Sequence, residues 1–317
     1  MADNQIAFLF PGQGSQAVGM GKDLAERYPV GKQVFEEADD ALGIKLSQLC
    51  FEGPEDQLRL TENTQPAILT VSVAALRVLN EKGVKPSFVA GHSLGEYSAH
   101  VAAGTISFTD AVRAVRNRGK YMQEAVPVGT GSMAAIVGMN IEAVATLCAD
   151  AAQGEVCEPA NINSPDQIVI SGSVGAIERA VKLAEECGAK RAKMLQVSAP
   201  FHCSLMKPAQ DRLAADLNAL SFSAPQIPVI ANVFAKPVED AVSAREALIR
   251  QVTGSVKWNE SIQLLIARGV QTFIEVGPGK VLSGLMRQID RTKKALNVED
   301  EASLQKTMEY LAATPVL

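Results

Sequence analysis

Four short apolar runs, 6–10, 88–90, 229–232 and 272–276, are separated by long stretches with helical periodicity. A run of apolar residues bounded by turn formers reads as a strand buried on both faces, and helices between such strands cover the two sides of a parallel sheet. The pattern predicts an α/β domain. Residues 133–197 break the rhythm: 133–138 reads as a strand, 141–152 as a helix, 156–162 and 167–171 as two strands around Asn163-Ser164-Pro165-Asp166, 174–187 as a helix and 193–197 as a strand. In order this is βαββαβ, the ferredoxin-like unit. It begins after Pro127 and Gly129 and ends before Pro200, so residues 128–197 are expected to form a small domain inserted into a large one made of 1–127 and 198–317. A cleft between two domains is a common place for a small-molecule site. No internal repeat or low-complexity segment is evident.

Composition narrows the class. The chain of 317 residues, 47% hydrophobic and 21% charged, is long enough for two cores. Its five cysteines (Cys50, Cys148, Cys157, Cys187 and Cys203) are odd in number and not spaced as metal or redox pairs, which suits free thiols in a reducing cytosol. Asp3 stands where a signal peptide would carry basic residues, and no stretch approaches membrane-spanning length. A cytoplasmic protein without a membrane partner is expected. The net charge of -5 argues against nucleic-acid binding, which usually needs a basic face.

Candidate chemistry starts at "FVAGHSLGEYSAHVAAG", residues 88–104, where an apolar run turns sharply into an Ala-rich helical stretch. Gly91-His92-Ser93-Leu94-Gly95 fits a nucleophile elbow: the tight turn pushes the serine hydroxyl outward, and glycines two residues away on either side avoid collision. The same five residues can also be an ordinary glycine-flanked turn, and it is the strand-to-helix setting that favours the nucleophile. A serine needs a base, and the chain has three histidines. His92 is adjacent in the turn and should point elsewhere, while His100 lies two helical turns on. His202, in "SAPFHCSLM" where the chain re-enters the large domain, remains; it is either the base or a satisfied, partly buried histidine. No Asp or Glu declares itself as a third member.

A second glycine-rich turn, "FLFPGQGSQA" at 8–17, follows the first strand. Gly12, Gly14 and Ala17 formally fit a dinucleotide fingerprint, but Pro11 intrudes and "FEEADDAL" at 35–42 reads as an exposed helix, not a strand carrying a ribose-binding acid. The competing use is that N–H groups near Gln13 and at Leu94 serve an oxyanion. In the helix expected over 109–125, Ala111, Val112, Val115, Met122 and Ala125 form the apolar face, and helical spacing places Arg118 on it. A guanidinium there needs a partner, either a protein carboxylate or one on a substrate.

Taken together, "FLFPGQGSQ", "GHSLGEYSA", "RGKYMQEAVP", "NSPDQIVISG", "FHCSLMKPA" and "EVGPGKVLSGL", in this order over about residues 5–290, resemble the malonyl-CoA:acyl-carrier-protein transacylases of bacterial type II fatty acid synthesis, and less closely the acyltransferase domains of polyketide synthases. The resemblance implies an α/β-hydrolase-like large domain, with Ser93 as acylated nucleophile and His202 as base. It also implies Arg118 as clamp for the malonyl carboxylate, and the N–H groups of Gln13 and Leu94 as oxyanion hole. A main-chain carbonyl orients the histidine in that family, and the segment "LIRQV" nominates Gln251. Phe201 resembles the malonyl-selecting form, and Met122 is expected beside it at the substrate. No metal or cofactor is implied; the implied partners are malonyl-CoA and acyl carrier protein. A serine esterase or thioesterase would use the same serine and histidine, and a scaffold protein would use neither. Residues from Ala295 on match no motif. Two basic clusters, Lys190, Arg191 and Lys193, and Arg287, Arg291, Lys293 and Lys294, are either solvated faces or docking surfaces for an acidic carrier.

Overall fold

The computed structural model describes residues 5–197 and 199–314; Asp3 and residue 198 lie outside the described residues. Its strands are β1 (Gln5–Phe10), β2 (Phe88–Gly91), β3 (Gly131–Val137), β4 (Cys157–Ser164), β5 (Gln167–Ser173), β6 (Arg191–Met194), β7 (Val229–Ala231), β8 (Lys236–Pro237), β9 (Val270–Val276) and β10 (Lys294–Val298). They form two sheets. The larger has the order β10-β9-β1-β2-β7-β8, parallel throughout except for β8, which pairs antiparallel with β7 at one edge.

The central strand shows why a continuous apolar run was needed. Side chains alternate across a strand, so Ile6, Phe8 and Phe10 pack to one side with Ala75, Leu79 and Val89, while Ala7 and Leu9 pack to the other with Trp258, Ile262, Leu282 and Leu285. Helices thus cover both faces, from Thr61–Glu81 on one side to Trp258–Ala267 and Val281–Ile289 on the other.

The smaller sheet is antiparallel, with the order β4-β5-β3-β6. Ala134, Ile136, Ile168 and Ile170 bury one face against the helices Ile141–Ala152 and Val174–Glu186. Met133, Ala160 and Val169 on the other face meet Leu195 and Phe201. Strand β4 joins this sheet to the rest of the chain: Ile162 N–H donates to Val256 O at 2.9 Å and Val256 N–H to Ala160 O at 2.8 Å.

Several sequence expectations shift. The last strand of the small sheet runs over Arg191–Met194, not 193–197, because its register is set by pairing Val137 with Arg191 and Ala134 with Met194. Segment 35–42 is helical but not simply exposed: within Pro29–Leu42, Phe35, Ala38 and Asp39 are buried. The motif-free C-terminal stretch supplies edge strand β10 and the helix Glu301–Ala313, whose N-cap Asp300 forms a capping box with Ser303. Edge strands β8 and β10 escape an apolar-run search because each is short or only partly buried.

Candidate active site

Parallel strands leave their functional groups at the C-terminal edge of the sheet, where the loops open. Here β1 runs into Pro11-Gly12-Gln13, β2 into the Ser93 turn and β7 into Asn232. Ser93 adopts the left-handed backbone region, φ 52°, between β2 and the helix Gly95–Ala102. Its glycine neighbours are sterically required. A Cβ on Gly91 would lie 1.9 Å from the carbonyl of Gly95, and one on Gly95 would lie 2.0 Å from Phe10 O. Asn232 holds the strained turn, its Oδ1 accepting from Ser93 N–H at 2.7 Å and its Nδ2 donating to Gly91 O at 2.6 Å.

The two distant histidine and serine segments meet. Ser93 Oγ is 2.7 Å from His202 Nε2, and His202 Nδ1 is 2.9 Å from Gln251 O. A carbonyl only accepts, so Nδ1 carries the proton and the Nε2 lone pair faces the serine hydroxyl. Burial, reinforced by the Arg118 charge, pulls His202 down to about 3, which keeps it neutral at physiological pH. His92 turns away to Asn163, with Nε2 at 2.8 Å from Asn163 Oδ1, and packs its ring 5.5 Å from Trp258. His100 is fully buried on the helix Gly95–Ala102, and neither ring nitrogen has a hydrogen-bond partner among the described residues.

Arg118, on Phe108–Glu124, is 1% exposed. Its Nη1 donates to Gln65 Oε1 at 2.8 Å, and its Nη2 to Gln251 Oε1 at 2.9 Å and to Ser93 Oγ at 3.1 Å. Every one of these acceptors is neutral. No Asp or Glu among the described residues forms an ion pair with it, its Nε makes no hydrogen bond, and burial lowers its pKa. A buried positive charge so placed beside a serine hydroxyl is one that an anion would stabilise.

These groups open onto a cleft of about 570 Å³ between the two sheets, lined by Gln13, Ser93, Leu94, Arg118, Met122, Phe201 and His202 on one side and by Met133, Asn161, Asn163 and Val169 on the other. The N–H groups of Gln13 and Leu94 are not taken up by any hydrogen bond among the described residues. Gln251 lies behind the cleft, fully buried. The glycine-rich turn at 11–14 is pressed against the elbow, since a Cβ on Gly12 would sit 2.5 Å from His92 O. The chain enters its next helix only at Lys22, so the turn lacks the immediate helix N-terminus of a dinucleotide site. Among the described residues, no group of three or more His, Cys, Asp or Glu side chains is arranged to hold a metal ion.

The sequence reading missed three side chains of this site. Gln65 holds the guanidinium, Asn232 holds the elbow, and the fully buried Glu96 accepts from Gln251 Nε2 at 2.7 Å and from Asn232 N–H at 3.0 Å. Glu96 gave little signal, since an acid in the first turn of a helix is an ordinary, favoured position and Ser98 and His100 share the same helix.

Comparison with known proteins places the whole chain in a family. The acyl transferase domain profile matches residues 7–309. A malonyl CoA-acyl carrier protein transacylase of Bacillus subtilis is 51% identical over 309 residues, covering 97% of this chain and 98% of that protein, and the Escherichia coli K12 protein of the same name is 50% identical over 306 residues, covering 96% and 99%. The chain belongs to the malonyl CoA-acyl carrier protein transacylase family. Among solved structures of that kind, an acyl carrier protein S-malonyltransferase from Vibrio cholerae superposes with a TM-score of 0.94 at 53% identity, covering 96% of this chain and 99% of that one. A malonyl-transacylase in complex with a type II polyketide-synthase acyl-carrier protein has the same TM-score, 0.94, at 49% identity, covering 96% and 99%. The acyl transferase domain match spans both sheets and most of the C-terminal helix, so β10 and the helix after it belong to that domain although no motif marks them.

Proposed function

We propose that the chain transfers a malonyl group from malonyl-CoA to the phosphopantetheine thiol of an acyl carrier protein, by a ping-pong route through a malonyl ester on Ser93. The observation that carries this reading is the buried Arg118 guanidinium, 3.1 Å from the Ser93 hydroxyl and without an ion-paired protein carboxylate among the described residues. A planar carboxylate is its best partner, and a malonyl thioester presents a free carboxylate and an activated carbonyl together. The names of the close relatives supply the same donor and carrier.

In the first half-reaction Ser93 Oγ attacks the thioester carbonyl while its proton passes to His202 Nε2, which then protonates the departing CoA sulfur. Charge on the carbonyl oxygen is met by the N–H groups of Gln13 and Leu94, and Gln251 O steadies the imidazolium. Met122 and Phe201 line the acyl pocket. In the second half the carrier thiol gives its proton to the same histidine and attacks the ester, and Ser93 regains its proton. Incubation with malonyl-CoA should give one malonyl adduct by intact mass, absent from Ser93→Ala. Adding carrier thiol should discharge it far faster than buffer does. Rapid loss to water alone would make the protein a thioesterase.

The histidine sets a pH dependence. An ordinary histidine protonates near about 6.5, and only the neutral form accepts the serine proton. Because His202 is held at about 3, kcat/KM for malonyl-CoA should keep its plateau as pH falls through the ordinary histidine range, with its acid limb displaced below it. An acid limb at the ordinary histidine value in the free enzyme would contradict this.

The organisation fits the expected domains, 1–127 with 198–317 and 128–197. The four-stranded order with both helices on one face supports the ferredoxin-like assignment of the insert, and a parallel sheet bearing a serine elbow supports the hydrolase-like assignment of the rest. Five free cysteines, four of them buried, support a cytoplasmic setting, and no helix among the described residues is long and apolar enough to cross a membrane. Of the two basic clusters, Arg287, Arg291, Lys293 and Lys294 line a concavity of their own of about 520 Å³ and are the better seat for an acidic carrier. Reversing two of these charges should raise KM for the carrier, more at low salt, and leave self-malonylation unchanged; an unaltered KM would discard the patch.

A further inference from the structure

Behind the serine and the arginine lies a carboxyl group that the acyl-transfer steps do not use. Glu96 is fully buried on the first turn of the elbow helix. Its Oε2 accepts from Gln251 Nε2 at 2.7 Å and from the Asn232 N–H at 3.0 Å, while its Oε1 has no hydrogen-bond partner among the described residues and lies 3.9 Å from His100 Nε2. Gln251 and Asn232 are the two amides that grip the Ser93 backbone. Gln251 Nε2 also donates to Ser93 O at 2.8 Å, and Asn232 Oδ1 accepts from Ser93 N–H.

The Gln251 amide can sit only one way. Its NH2 meets three acceptors, Glu96 Oε2, Ser93 O and, at 3.4 Å, Asn232 Oδ1, and its Oε1 meets the Arg118 Nη2 donor; a flipped amide would face NH2 to guanidinium and oxygen to oxygen. Guanidinium, amide and carboxylate are therefore joined in one polarised chain. Arg118 and Glu96 act on one another through it without an ion pair. Among the groups that face Glu96, His100 on its own helix and His202 across the site are both held neutral, Tyr97 is pushed further from ionising by burial, and Gln251 and Asn232 carry no charge. Arg118 is the one charged neighbour among the described residues.

We propose that Glu96 is a positioning residue that serves as the internal counter-charge of Arg118 in the free enzyme, and that docking of the substrate carboxylate on Arg118 is accompanied by uptake of one proton from solvent at Glu96 Oε1. The inference rests on the malonyl-clamp reading of Arg118. One guanidinium in a desolvated site does not hold two ionised carboxylates at full strength, so the incoming anion withdraws from Glu96 the attraction that keeps it charged. Burial already pushes Glu96 up to about 7, against hydrogen bonds from Asn232 and Gln251 and the Arg118 charge that lower it. The proton is thus available near neutrality. Malonyl-CoA affinity should weaken as pH rises above neutrality, toward a limiting slope of about tenfold per pH unit for one linked proton, while acetyl-CoA, which lacks the carboxylate, should show no such slope.

The test is calorimetric binding of malonyl-CoA and acetyl-CoA to the Ser93→Ala protein, in buffers of different ionisation heat and over a range of pH. The expected result is no uptake for acetyl-CoA and, for malonyl-CoA, net proton uptake that rises toward one as pH is raised above neutrality, where Glu96 is ionised in the free enzyme. His202 faces the same guanidinium, so Glu96→Gln in that background assigns the proton: its amide oxygen can still accept from Asn232 and Gln251, and the uptake and the pH slope should vanish. In the active enzyme, Glu96→Gln should flatten the pH dependence of KM for malonyl-CoA, with a smaller change in kcat. Tighter malonyl than acetyl binding without proton uptake would overturn this inference and leave the clamp standing. Equal binding of the two at every pH would remove both. Should Glu96→Gln not fold, His202→Ala in the Ser93→Ala background decides: uptake that persists without the imidazole stays with Glu96, and uptake that vanishes overturns the assignment. Uptake that persists in a folded Glu96→Gln would place the proton elsewhere and overturn the assignment.

Discussion

Arg118→Ala should lose malonyl transfer by about 2 to 5 kcal/mol, roughly thirtyfold to several thousandfold in kcat/KM, and should lose most of its preference for malonyl over acetyl. The argument is one of burial and partners. The guanidinium is 1% exposed and, among the described residues, hydrogen-bonded only to the neutral Gln65, Gln251 and Ser93. A bidentate, charge-assisted contact with the malonyl carboxylate would form where water is excluded, and such contacts are about twice as strong as neutral ones. For acetyl-CoA the same arginine is a desolvated charge facing a methyl group, which disfavours that substrate. Removing it therefore takes attraction from one substrate and a penalty from the other. Stability should change less than activity, because no ion-paired carboxylate is stranded and Glu96, which burial already pushes up to about 7, can answer the loss by taking up a proton. The measurement is the ratio of specificity constants for malonyl-CoA and acetyl-CoA in wild type and variant, beside their melting temperatures. An unchanged ratio with a depressed melting temperature would make Arg118 a structural residue and remove the malonyl assignment.

The contrast between Arg118 and Gln251 shows which parts of this site a sequence exposes. Helical spacing puts Arg118 among Val115 and Met122, and the cost of burying a cation announces that something must meet it. The fold delivers all three to the buried side of one helix. Gln251 carries no such signal in composition or spacing; it is one of several polar residues in Ala241–Gln251, and its two roles, carbonyl to His202 and amide to Arg118 and Glu96, arise from tertiary packing. Asn232 is similar. It ends an apolar run like any strand-terminal residue, and only the pairing of β2 with β7 brings it beneath Ser93. The fold divides along the same line. Central strands such as β1 must be apolar on both faces, so their positions are legible, whereas β8 and β10 at the edges and the register-set end of β6 depend on neighbours that local pattern does not encode.

His202→Ala should slow both half-reactions by a similar factor, on the order of 10²- to 10⁴-fold, because one imidazole handles every proton in the cycle. In the proposed cycle Nε2, 2.7 Å from Ser93 Oγ, takes the serine proton in acylation; in deacylation it takes the thiol proton and then returns one to Ser93. The Nδ1–H bond to Gln251 O fixes the ring and its tautomer for both directions. An uncharged carbonyl suffices for that orientation, while the nearby Arg118 disfavours the imidazolium until the substrate carboxylate offsets its charge. The histidine should thus be a stronger base in the malonyl-bound complex than in the free enzyme. Residual rate in the variant should come from the Gln13 and Leu94 donors and from the Arg118 Nη2 contact to Ser93 Oγ, which favours the alkoxide. Rapid-quench measurement of malonyl-enzyme formation, and of its discharge by carrier thiol, separates the halves. A variant slowed in acylation alone would mean that the carrier brings its own base, and the single-histidine mechanism would fail.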